Sequence, residues 1–437
     1  MKLTLLSISF FALAFGIKAQ SPCASGRYAS DVFSNVTLTS DITFGANTTV
    51  GNSTQTLTLD FYEPMGDVLQ NRPLIILAHG GSYVGGSKTD ADMVALSQAF
   101  SKKGYVCASI NYRLGFYPFD SVNAVRAVLR SVQDMKAAIR FFYKDKLTSN
   151  TYKVDTNNIF VGGSSAGAIT ALHVAYLNKS CEIIPYIGAS SYNALGGIEG
   201  FSGNQCYSSK INGVINICGA LGKYGWLEAG DLPFVSLHGT NDATVKYSQG
   251  KAAPSNVPLL YLDGSRMLYQ QSLALGISNP FYTWYGAGHV PYSANALYMD
   301  STINFIRDYL LTRIGCTNPP LLNPNTPFGT ATLYPYQACT SNTGPSCMAL
   351  GNTSFTKNEL VESVYPNPTN NELTIKFNYP NKLHTLEIMD VSGKLILKTQ
   401  TQLASYTFYK NNLSAGMYFL KVSTENNYSS TYKLIFN

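Results

Sequence analysis

Between residues 73 and 313, uninterrupted apolar runs alternate with helical stretches. The runs LIILAH, YVCASINYR, IFVGG, VINIC, FVSLHG and FYTWYG are apolar on both faces, as strands covered from both sides must be. Helical patterns fill 90–103, 121–146, the stretch AGAITALHVAYL, 266–275 and 293–313. Strands alternating with helices build βαβ units, and so a mostly parallel sheet with helices on both faces. Upstream, NVTLTSDITF and QTLTLDFYE alternate polar and apolar residues, as a half-exposed antiparallel edge does.

The alternation stops at Cys316. Residues 317–360 hold six prolines and no clear period, which predicts a linker or an irregular extension. From 361 onward, short alternating strands broken by PN, SGK and SAG turns predict a small all-β sandwich to residue 437. At the other end, Lys2 followed by the apolar stretch Leu3 to Ile17 and the small Ala19 reads as an export signal over 1–19, too short for a confident transmembrane span. The catalytic domain is then 20–316. Eight cysteines in an exported chain are compatible with disulfides. Cys107 and Cys218 lie inside strand-like runs and read as buried thiols, whereas Cys181 and Cys206 flank one polar insertion and are the first pair to expect. A net charge of +6 without any Lys/Arg run gives no electrostatic footprint for nucleic acid.

The chemistry concentrates at Gly163-Ser164-Ser165-Ala166-Gly167, directly after one apolar run and before a helical segment. A strand turning sharply into a helix needs small residues two before and two after the residue at the bend, and that residue's side chain then projects from the strand's carboxyl end. Ser165 is the candidate nucleophile; Ser164 lacks glycines at the required spacing. A serine hydroxyl needs a base to take its proton, and the chain has only five histidines. His384 lies in the C-terminal β-region, His173 within a mostly apolar helix, and His79 opens a glycine motif. His289, in the loop AGHVP, comes after Asp242 of GTND, which matches the order nucleophile, acid, base that accompanies such an elbow. His238 is the competitor, but it would leave Asp242 downstream of the base. Asp231 and Asp263 are weaker choices of acid. His79-Gly80-Gly81-Ser82 follows the first buried strand, where backbone N–H groups can meet an oxyanion; the candidate donors are the N–H groups of Gly81, Ser82 and Ala166. Tyr83 and Trp226 are candidate substrate contacts, and the Gly-, Ser- and Tyr-rich insertion 178–210 a candidate pocket lining. Asp134 and Arg140 read as structural. No HExxH motif, zinc-type cysteine spacing or G-x-G-x-x-G fingerprint occurs, so neither a metal nor a cofactor is implied.

Through LIILAHGGSYVGGSK, INYRLGF, GGSSAGA, LHGTND and GAGH, residues 55–315 resemble the α/β-hydrolase superfamily, and most closely carboxylesterases with an HGG-type oxyanion loop. The resemblance implies an α/β-hydrolase fold with a mostly parallel eight-stranded sheet. It also implies a serine carboxylesterase acting on small esters or on ester groups of an extracellular polymer, acetyl, feruloyl or polyester among them. A peptidase using the same residues and a non-catalytic surface-binding protein on this scaffold are the alternatives. Through VYPNPTNN, DVSGKLI, LSAGMYFLKV and YKLIFN, residues 361–437 resemble the type A sorting domain of type IX secretion cargo from Bacteroidetes. That implies secretion machinery as a partner, and a secreted or surface-attached protein at the outer-membrane exterior with no transmembrane segment in the mature chain.

Overall fold

The computed structural model describes residues 22–254, 257–316, 327–339, 360–378, 380, 382–390, 394–411, 413–424 and 429–437. The stretch read as an export signal lies outside the described residues. The chain divides into two compact units between Met348 and Ala349.

In the first unit, β3 (Arg72–Ala78) is buried along its whole length. Its alternate side chains serve two different cores. Leu74, Ile76 and Ala78 pack into one, while Ile75 and Leu77 pack into the other. An apolar run without polar interruption is what this position demands. Around β3 grows an eight-stranded sheet in the order β1-β2-β4-β3-β5-β6-β8-β11. Its other members are β1 (Val36–Thr48), β2 (Thr54–Pro64), β4 (Val106–Ile110), β5 (Val154–Ser164), β6 (Gly213–Ile217), β8 (Phe234–Gly239) and β11 (Phe281–Trp284). β1 and β2 form the antiparallel edge, and every pairing from β4 to β11 is parallel. The expected fold, with its eight strands, is the observed one.

Helices cover both faces. Buried residues of α2 (Ser121–Leu147) and α3 (Ala166–Tyr176) belong to the first core. Those of α1 (Ala91–Lys102) and α7 (Ala296–Arg313) belong to the second. Short helices α4 (Ser180–Ile187) and α5 (Ala189–Ala194) occupy the insertion after α3, and α6 (Ser265–Leu275) precedes β11. A small antiparallel sheet joins β7 (Ala220–Leu221), β10 (Tyr261–Gly264) and β9 (Gln249–Lys251). Asp134 on α2 is buried beneath Arg113, whose guanidinium lies 2.8 Å away; Arg140 pairs with Glu199 instead. Both are structural, as expected.

The cysteines differ from the expectation in one respect. Cys107 and Cys218 are buried and free. Cys181, however, pairs with Cys339 and not with Cys206, and Cys23 pairs with Cys316. Nearness along the chain was the only guide to the Cys181–Cys206 choice, and the fold brings a residue 158 positions away to α4 instead. Cys206 is itself disulfide-bonded. The described part of the 317–360 stretch, residues 327–339, is held on the first unit by this bridge and by hydrogen bonds from Arg266 to the Gly329 carbonyl.

The second unit holds two antiparallel sheets. One runs β12 (Val361–Tyr365), β13 (Glu372–Phe377) and β16 (Ser405–Tyr409); the other runs β15 (Leu395–Thr401), β14 (His384–Asp390), β17 (Gly416–Thr424) and β18 (Ser429–Phe436). Leu373, Ile375, Leu386, Ile388, Leu420 and Leu434 share its core, and His384 is buried against the Phe377 ring.

Candidate active site

Ser165 sits between β5 and α3 with φ 53° and ψ −114°, a conformation that a non-glycine residue rarely adopts. The flanking glycines make this bend possible by letting it press onto β3. A Cβ at Gly163 would lie 2.3 Å from the Ala78 carbonyl oxygen, and one at Gly167 would lie 1.9 Å from the same atom. The elbow is thereby held against the His79 loop. Ser164, the neighbour, points elsewhere: its hydroxyl shares a hydrogen bond of 2.5 Å with the buried Tyr292 phenol.

The Ser165 hydroxyl lies 2.8 Å from His289 Nε2, and His289 Nδ1 lies 2.6 Å from Asp242 Oδ2. Burial raises the Asp242 pKa, but hydrogen bonds from His238 and His289 outweigh it and hold the carboxyl well below the usual range. An ionised carboxylate only accepts, so His289 Nδ1 carries the proton, and Nε2 is left to accept from Ser165. The Asp242 Oδ1 atom takes the N–H groups of Thr244 and Val245, each at 2.9 Å.

His238, the competitor for the base, stands behind Asp242 and away from Ser165. Its Nε2 is 2.9 Å from the Val245 carbonyl and 3.2 Å from Asp242 Oδ2. Two acceptors at one nitrogen fix the proton there, so Nδ1 accepts from the Ser265 hydroxyl at 2.8 Å. Asp242 therefore has two histidine donors where the sequence suggested one. Among the described residues, Cys218, His238 and Asp242 form the one group close enough to hold a metal ion. These three are already committed to the buried network, and burial drives the Cys218 thiol pKa upward, away from the thiolate a metal requires.

Loop 79–86 is rigid for identifiable reasons. The His79 ring stacks on Tyr112 at 4.3 Å, and the Tyr112 phenol donates to the His79 carbonyl at 2.9 Å. Burial lowers the His79 pKa, and its Nδ1 lies 2.7 Å from the Gly80 carbonyl. Tyr83 donates to the Ala166 carbonyl at 2.9 Å, clamping the loop to the first turn of α3. As the first residue of α3, Ala166 has an N–H with no helical partner. Ser82 and Ala166 line a cavity with Ser165, whereas Gly81 is not part of that lining. Gly81 instead turns its carbonyl to the N–H groups of Val84 and Gly85.

The cavity is a cleft open to solvent at its mouth. Its walls are largely apolar: Val128, Ile169, Ile183, Trp226, Val245 and Leu260 are among them, and Tyr83 lies close to the serine. Of the five histidines, His173 is the one in the cavity lining, but burial lowers its pKa to about 4, so the ring is neutral near pH 7. It is a packed side chain, as expected. The 178–210 insertion contributes Ile183 and Tyr186 of α4 to the lining.

Residues 59–222 match the BD-FAE family model, and residues 363–437 match the model described as the secretion system C-terminal sorting domain. No curated protein matches the chain. Among solved structures, the chain is similar to the apo form of Thermogutta terrifontis esterase 2, at 20% identity and a TM-score of 0.47, covering 64% of this chain and 96% of that one. It is also similar to the same esterase phosphoramylated by tabun, at 20% identity and a TM-score of 0.47, covering 67% and 99%. Among the described residues, no helix is long and apolar enough to cross a membrane. Within residues 59–222 the chain thus carries a BD-FAE esterase domain of the α/β-hydrolase kind, and at residues 363–437 a type IX sorting domain, which assigns it to the cell exterior, secreted or attached to the outer-membrane surface.

Proposed function

We propose that the enzyme cleaves carboxylic esters through an acyl-enzyme formed on Ser165. His289 takes the hydroxyl proton as Ser165 attacks the ester carbonyl, then returns it to the departing alcohol. Asp242 holds the Nδ1–H tautomer and stabilises the imidazolium. The N–H groups of Ser82 and Ala166, with Gly81 shaping the turn and standing as a third candidate donor, receive the oxyanion. Water then enters by the same route and releases the acid. The observation that carries this reading is the unbroken chain from the Ser165 hydroxyl through His289 to Asp242, at 2.8 and 2.6 Å, opening on an apolar cavity.

The cavity favours an apolar acyl group over a charged one. Ester groups on extracellular polymers are the substrate class we assign, with feruloyl, acetyl and polyester links as its members. The test is hydrolysis of p-nitrophenyl acetate, butyrate and octanoate by the purified protein beside Ser165→Ala. We expect the variant to lose about five to six orders of magnitude in kcat. Equal rates in the two proteins would overturn Ser165 as nucleophile. Acetylated and feruloylated polysaccharides and a synthetic polyester then separate the three links.

A further inference from the structure

We infer that residues 327–339 form a strap that fixes one wall of the acyl cavity, with Tyr336 as the residue that positions the turn carrying Trp226. The inference rests on the ester-hydrolase reading of the cavity.

Two of the cavity walls come from short elements with little regular structure of their own. One is the single 3-10 turn Tyr224–Trp226, which supplies Trp226. The other is the eight-residue α4, interrupted by Pro185, which supplies Ile183 and Tyr186. The strap reaches both. Cys339 is bonded to Cys181 of α4. The Tyr336 ring presses on Gly225, the residue before Trp226: a Cβ at Gly225 would stand 2.0 Å from Tyr336 Cδ1. Tyr336 thus backs the turn that carries the buried Trp226, whose ring meets His173 edge to face at 5.6 Å.

The strap is itself held at several points. The Tyr334 phenol donates to Asp263 Oδ2 at 2.6 Å, and the same oxygen accepts the Tyr224 N–H at 2.7 Å. Tyr224 returns a hydrogen bond from its phenol to the Tyr334 carbonyl, and the two rings meet edge to face at 4.7 Å. Arg266 grips the Gly329 carbonyl through Nε and Nη2 at 3.1 and 2.8 Å. The Phe328 N–H donates to the Tyr247 phenol at 2.9 Å. Asp263 is only 2% exposed and takes no part in the chemistry of Ser165. Anchoring the strap gives this buried carboxylate a role. Such a set of anchors is more than a passing linker needs. α4 is also tied through Lys179, just before it, to Glu228.

The test compares full-length wild type, Tyr336→Ala and Cys339→Ser on p-nitrophenyl acetate and octanoate, reading kcat and KM separately. Acetate presents the smaller acyl group to the cavity walls, so its kcat/KM should stay within about twofold. Octanoate kcat/KM should fall at least roughly tenfold, the scale of lost methylene contacts in a pocket, with most of the change in KM. If Tyr336→Ala does not fold, Tyr336→Leu replaces it: apolar bulk is kept, the ring that presses on Gly225 is lost, and a smaller octanoate-specific loss is expected. An unchanged octanoate-to-acetate ratio in the folded variants, or a parallel fall on both esters, overturns the strap's role. Wild type that cleaves neither ester would instead strike at the underlying hydrolase reading.

Discussion

Asp242 shows how much one carboxylate can be asked to do. It receives two backbone N–H groups on one oxygen, and His289 and His238 on the other. Asp242→Asn removes the acceptor for His289 Nδ1–H and presents a donor in its place. We expect kcat on p-nitrophenyl acetate to fall about 10^4-fold with a modest change in KM. The same residue links activity to acid stability. Its folded pKa is depressed below the unfolded value of about 3.9. Its stabilisation is therefore complete above that value and is lost as pH falls through the folded pKa. The melting temperature of Asp242→Asn should change less than that of wild type between about pH 5 and pH 3. A wild-type-like acid profile in the variant would contradict this. The three side chains of the Ser165 chain were legible because each carries a local signature: glycines around the serine, a GTND turn, and the order of acid before base. The second histidine on Asp242, and the Tyr292 phenol on Ser164, have none. His238 looked like an alternative base because only three-dimensional contact reveals which side of Asp242 it occupies.

Elements translate those residues into position. The elbow depends on Gly163 and Gly167 lying against the β3 backbone, and a methyl group at either place meets the Ala78 carbonyl. Gly167→Ala should cost both soluble yield and activity, because neither β3 nor α3 can withdraw from a fully buried sheet. Recovery of a soluble, active variant would show that the elbow has more freedom than this packing implies. On α2, in the same core as α3, Asp134 holds Arg113 of the INYRLGF segment, with the Ser202 hydroxyl completing the buried group. Asp134→Ala leaves an arginine buried without its counter-charge and should lower stability by about 3–5 kcal/mol in denaturant unfolding. The sheet and its helices were legible from periodicity, since a strand buried on both faces leaves an unbroken apolar run. The strap was not. Residues 327–339 have no period, because their order comes from tyrosines and a cysteine reaching separate partners on the first unit.

At the scale of the molecule, the Cys23–Cys316 bridge joins the segment before β1 to the chain just past the end of α7 across 293 residues. A loop that long gives a chain-entropy contribution of up to about 5 kcal/mol. Cys23→Ser with Cys316→Ser should therefore melt well below wild type while retaining its kcat at low temperature. Removing residues 361–437 should stop export and leave ester hydrolysis intact in protein recovered from the cells. Normal export of the truncated chain would argue against a sorting role.

The two bridges also determine how the molecule bears a load. When the C-terminal unit is anchored to a cell surface while the hydrolase unit grips a polymer, tension runs along the chain between them. Coming from the C-terminal side it meets the Cys339–Cys181 bridge before it meets Cys316, and a further disulfide ties Cys206, so α7 and β11 lie off the line of pull. Tension from the amino end meets the ring closed at Cys23 and Cys316. Between Cys23 and Cys316 the backbone is a ring closed through sulfur, and that part of the molecule behaves under traction as a closed loop rather than as a thread.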